Sequence, residues 1–92
     1  MAWIVTLHPR VAKGVPRLPK RIQAVLELLL RELEEEGPVR GTWPNYGKLA
    51  ATRHHCHLKK GRPTYVAVWD VRDNKLHVIE VMYVGTHENA PY

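Results

Sequence analysis

"PKRIQAVLELLLRELEEEGP", residues 19–38, is the stretch whose reading decides the fold. Ile22, Val25, Leu26, Leu29, Leu30 and Leu33 fall at i, i+3, i+4, i+7, i+8 and i+11, one continuous apolar face at helical period. Pro19 suits the first helical position, Gly37 the residue just past the end, and Pro38 blocks continuation. The spacing predicts a helix from Pro19 to Glu36, about 27 Å long at roughly 1.5 Å per residue. Leu28 falls off the stripe and is expected to be exposed or covered by a neighbour. The glutamates at the C-terminal end oppose the helix dipole and form a solvated face, or a surface for a basic partner.

A helix with a single apolar face must bury it against another element. Upstream, "AWIVTL" is a short β-forming run closed by "HP". "RVAKGVPRL" spaces Val11, Val15 and Leu18 helically, but Gly14 and Pro16 weaken it, so a short or irregular helix is expected. Downstream, "VRGTWPNYGKL" is loop-like, with Trp43 as an anchor. Three β segments follow: "ATRHHCHL", "PTYVAVWDV" and, after the turn "RDNK", "KLHVIEVMYVG". Short connections favour an antiparallel meander. The expectation is an α+β domain over residues 1–92, ordered β-α-α-β-β-β. It has an antiparallel sheet of about four strands, with one long and one short N-terminal helix on one face.

Composition narrows the function. The net charge is +5. Five Lys or Arg and no acid lie between Met1 and Leu26, and six with no acid between Gly37 and Thr64. Such surfaces attract polyanions through phosphate neutralisation. The longest apolar run, Ala24 to Leu30, is broken by Glu27 and is far too short to span a bilayer. No charged leader precedes an apolar stretch at the start. Cys56 is the one cysteine, so no intrachain disulfide framework exists. A cytoplasmic location without membrane contact is expected.

"RHHCHLKK", residues 53–60, concentrates histidines and cations in one strand. Alternation puts Arg53, His55, His57 and Lys59 on one face and His54, Cys56 and Leu58 on the other, against the helix. His54, on the apolar side, reads as a structural histidine. In the next strand, Val66 and Val68 are expected to face the helix, with Tyr65, Ala67 and Trp69 lining the open face. The last strand is apolar on both parities, which predicts a central position buried on both sides. Its ending, "GTHENAPY", brings His87 and Tyr92 to the sheet edge.

The element order, the "LPKRIQ" lead-in to the long helix, the basic sheet face and the "YVGTH" ending together resemble the RelE/ParE toxin superfamily. The "HCHL" strand and the "VGTH" ending look closest to its YafQ-type branch of mRNA interferases. The resemblance implies a type II toxin, a ribosome-dependent endoribonuclease that cuts mRNA and is silenced by a cognate antitoxin. It implies His57 and His87 as acid–base residues and Tyr92 as the terminal aromatic. An arginine usual in relatives is replaced by Tyr83, which stands in the candidate catalytic set at that position, and an Asp-Trp pair by Thr64 and Tyr65. Arg53, Lys59 or Arg62 would then supply the phosphate-stabilising charge. Arg53, His55, Lys59, Lys60 and Arg62 are the expected RNA-backbone contacts, and Tyr65 and Trp69 the expected stacking surfaces. Histidine serves both proton roles because its pKa lies near working pH, and no metal or cofactor is required.

Three rival readings follow from the same residues. His55, His57 and His87 are three possible zinc ligands, though adjacent strand positions match usual ligand spacing poorly. A ParE-like gyrase inhibitor shares the fold without the histidines. A silent RNA-binding module fits the replaced arginine. No motif speaks to self-association.

Overall fold

The structure, a computed structural model, describes residues 2–92. Strand β1 (Ile4–Leu7) leads into helix α1 (Pro9–Gly14) and a 3-10 turn at Val15–Arg17. Helix α2 (Lys20–Glu36) follows, then the two-residue β2 (Gly47–Lys48) and the long strands β3 (Arg53–Lys59), β4 (Tyr65–Asp73) and β5 (Val78–Thr86). A last 3-10 turn, His87–Asn89, leads into the C-terminal tail.

Helix α2 buries the stripe its sequence predicts. Leu29 and Leu33 are 0% exposed and Ile22 and Leu26 2%, while Leu28 is 51% exposed. The helix begins one residue later than expected, because Pro19 keeps extended backbone (ψ 145°) as its cap. It stops at Gly37, whose φ of 92° favours glycine. A Cβ there would also lie 2.9 Å from Trp3 Nε1, so the end of α2 and β1 fit only around a glycine.

The sheet has five strands in the order β1-β5-β4-β3-β2. The β3-β4-β5 meander is antiparallel as expected. Two features depart from the expectation. The segment before β3 contributes the short edge strand β2. Strand β1 pairs parallel with β5, Ile4 opposite Val78 through Leu7 opposite Val81, so the sheet is mixed. The two helices between β1 and β5 supply the crossover that parallel pairing needs. The most enclosed strand is therefore β4, not β5: Val66, Ala67, Val68, Trp69 and Asp70 are all buried.

Both helices cover one face. Val11 and the α2 stripe form one cluster with Cys56, Leu58, Ala67, Trp69, Ile79 and Val81. The β3 alternation is as expected: His54, Cys56 and Leu58 are buried, and the intervening residues are not. The facing of β4 is the reverse of expectation. Cys56 pairs with Ala67 and His54 with Trp69, so Ala67 and Trp69 look toward the helices. Val66 and Val68 lie opposite His57 and His55 on the other face. Alternation fixes that β4 has two faces, but only the pairing register selects which is inside. Among the described residues, no helix is long and apolar enough to cross a membrane.

Candidate active site

His57 sits near the end of β3, just before the register shifts between His57 and Lys59. It pairs with Val66, which pairs with Gly85, so β4 carries the C-terminal end of β5 across to it. The chain then turns at His87, whose N–H donates to the Thr64 carbonyl at 2.8 Å. The two histidine rings consequently meet edge to face, with centroids 5.7 Å apart and planes at 66°. They border a groove of about 790 Å³ whose lining also includes Arg62, Thr64, Thr86 and Glu88.

The C-terminal tail folds back over the sheet. The Tyr92 ring lies 4.7 Å from that of His55 and 5.6 Å from that of His87, both edge on. Tyr92 remains 45% exposed, so its ring is open to a ligand. Tyr83 is half-buried, and its hydroxyl donates to the Thr86 carbonyl at 2.7 Å. A Cβ on Gly85 would come 2.7 Å from that hydroxyl, so glycine there lets the ring fold over the turn. His55 Nδ1 donates to the Gly47 carbonyl at 3.2 Å, which leaves Nε2 as the acceptor nitrogen.

The electrostatics favour the neutral imidazole at His57 and at His55. Burial lowers the His57 pKa, and His87 and Lys60 lower it further. His55 is lowered by burial and then by His57 and His87. Burial raises the Tyr92 phenol, with Cys56 and Tyr83 adding to the effect. The Tyr83 phenol is raised by burial, against its bond to Thr86. His55 and His57 are therefore ready to accept a proton, and the phenols of Tyr83 and Tyr92 keep theirs.

The expected site residues divide. His57, His87, Arg62, His55 and Tyr92 come together, and Lys60 acts on His57 through its charge. Lys59 is exposed at the end of β3. Arg53 lies four residues back along the strand, where it pairs with Asp70 at 3.7 Å. Asp70 also holds Arg72 at 3.3 Å, and Arg72 reaches Glu80 at 3.8 Å. Of the three cations expected to replace the arginine, Arg62 is the one lining the groove.

Two expected stacking residues are not there. Trp69 is 0% exposed on the helix side, and its indole N–H donates to the Pro38 carbonyl at 3.0 Å. Tyr65 packs half-buried against the same core. Both follow the reversed facing of β4. His54 is structural as expected: it is 2% exposed and bonded through Nδ1 to the Tyr46 hydroxyl at 2.7 Å. Trp43 anchors its loop by donating to Glu32 at 2.8 Å, and Arg40 donates to the same oxygen at 3.1 Å. Among the described residues, no three His, Cys, Asp or Glu side chains group as a metal site would require. The sequence reading passed over Glu88, an acid at the groove wall. Its one signal was adjacency to His87.

No family model matches the chain, and no curated protein does. Solved structures do. A doubly substituted E. coli RelE toxin in the free state matches with a TM-score of 0.73 at 20% identity, over 98% of this chain and 88% of that one. The archaeal RelE–RelB complex from Pyrococcus horikoshii OT3 matches at 0.71 and 20% identity, over 98% of this chain and 100% of that one. The intact E. coli RelBE toxin–antitoxin complex matches at 0.70 and 22% identity, over 96% and 100%. The fold is that of the RelE toxins.

Proposed function

We propose that this protein is the toxin of a toxin–antitoxin pair, a cytoplasmic endoribonuclease that cuts mRNA on the ribosome by metal-independent acid–base chemistry. The observation that carries the reading is the His57–His87 pair, 5.7 Å between ring centroids, on a groove lined by Arg62. The RelE fold and the RelE–RelB complexes among its structural neighbours support a toxin with a cognate antitoxin.

The chemistry follows from the arrangement. Neutral His57 takes the proton of a ribose 2′-hydroxyl. The oxygen attacks the adjacent phosphorus, and the bond from phosphorus to the 5′-oxygen breaks. His87 acts as the acid and gives a proton to the leaving oxygen. The products are a 2′,3′-cyclic phosphate and a 5′-hydroxyl. Arg62 offsets the charge that builds on the phosphoryl oxygens. Tyr92, exposed beside His55 and His87, offers a base a stacking surface.

The test is cleavage of mRNA on translating ribosomes. His57→Ala and His87→Ala should each lose roughly 10²–10⁴-fold in rate while keeping ribosome binding. Unchanged cleavage in both variants would sink the mechanism. A silent RNA-binding module is the second reading, favoured by Tyr83 in the arginine's place with its hydroxyl tied to Thr86. Ribosome binding by the wild type without cleavage would select it.

A further inference from the structure

A second groove lies at the free edge of β5, away from the histidine pair. Strand β1 ends its pairing at Val81, so the later residues of β5 have no neighbour on that side. The start of α1 borders the gap. The result is a concavity of about 480 Å³ whose lining includes Arg10, Arg53, Val68, Met82, Tyr83 and Asn89. That volume falls within the range of small-ligand pockets. None of its lining residues is acidic.

Its charge and position limit the occupant. Arg53 is partly balanced by Asp70 at 3.7 Å. Arg10 is exposed and makes no ion pair among the described residues, so it is the cation available to an anion. The floor is apolar and aromatic, which suits a flat ring better than a bare phosphate. The two grooves are linked by β3, with His57 at one end and Arg53 four residues away, about 13 Å at 3.3 Å per residue. Between them Tyr92 lies against His55 at 4.7 Å, and the tail residues Asn89 and Pro91 line the second groove.

We propose that this second groove is a subsite for a nucleotide flanking the cut. The base rests on Met82 and Tyr83, and its phosphate meets Arg10. The inference rests on the ribonuclease reading and adds a place where the enzyme senses RNA beyond the cleaved bond. A strand running from His57 past Tyr92 and Arg53 reaches Arg10 where the start of α1 meets the edge of the sheet. Preference for certain flanking bases then arises in the protein, through the shape of this groove.

The experiment uses programmed ribosomes carrying mRNAs with a single abasic nucleotide, placed in turn at each position around the cut. In the wild type, one flanking position should lower the cleavage rate roughly 10-fold, since stacking of one base carries that order of energy. Arg10→Gln, exposed and outside the core, and Met82→Trp, which fills the groove, should each shrink that effect to about 2-fold or less. Lys13→Gln removes an equal charge from the same helix outside the groove and should respond as the wild type does. Equal sensitivity to the abasic site in the wild type, Arg10→Gln and Met82→Trp overturns the subsite and leaves the ribonuclease reading standing. Failure of the wild type to cut even intact mRNA overturns both.

Discussion

At the residue scale, the proposed chemistry turns on the state of His57. Burial, then His87 and Lys60, hold its pKa below the ordinary value. It therefore stays neutral, and able to act as base, further into acid than a free imidazole, whose pKa is about 6.5. The acid limb of kcat/KM for mRNA cleavage should lie below that value. Lys60→Gln removes one lowering charge and should move the limb upward. An unmoved limb would separate Lys60 from the site. His54 works on stability instead. Burial is the largest cause lowering its pKa; Lys48 and His55 act with it and Asp70 against it. A histidine depressed in the folded state leaves stability intact above its unfolded pKa, near 6.5, and withdraws it as pH falls toward the folded value. His55 and His57 act with the same sign. Tm should fall between pH 7.5 and 5.5, and less steeply in His54→Gln. Parallel slopes would assign the loss to other groups.

At the element scale, α2 is the wedge of the core. Leu26 and Leu29 are enclosed by the sheet and by neighbouring turns of the helix. Truncating either to Ala should cost about 2–5 kcal/mol, the lost transfer energy plus the cavity left behind. Leu28→Ala, on the exposed side, should stay within about 0.5 kcal/mol. Urea unfolding of the three variants tests this, and equal midpoints would remove α2 from the core. The same helix reaches toward the site's other edge. Glu32 accepts from both Trp43 and Arg40, fastening the loop that leads into β2. β2 in turn provides the Gly47 carbonyl that orients His55.

At the scale of the whole molecule, charge is segregated. The described ion pairs gather on α2 and its loop and around Asp70. Lys59, Lys60 and Arg62 are exposed beside the histidine groove and absent from those pairs. A disordered, acidic antitoxin segment that folds over this cleft would neutralise it and cover Tyr92 together. Expression without an antitoxin should slow bacterial growth, and His57→Ala should relieve the effect. Unimpaired growth at high expression of the wild type would count against a toxin. Binding to ribosomes should weaken with salt, and less steeply in Lys59→Gln than in the wild type.

Local pattern was enough for the helices, the long strands and one side of the site. The period of Ile22 to Leu33 set α2 and its buried stripe. The alternation of "RHHCHLKK" put His55 and His57 away from the core, because a strand's two faces are fixed by its own backbone. The resemblance, not any spacing, brought His87 to His57, which lie thirty residues apart in sequence. Tertiary structure decided the rest. Strand β4 is apolar on both parities, so only its register against β3 could send Trp69 inward and Val68 outward. The parallel pairing of β1, the isolation of Arg53 with Asp70 and the second groove all depend on which strands end up as neighbours. That choice is made by the packing of the whole sheet against its two helices.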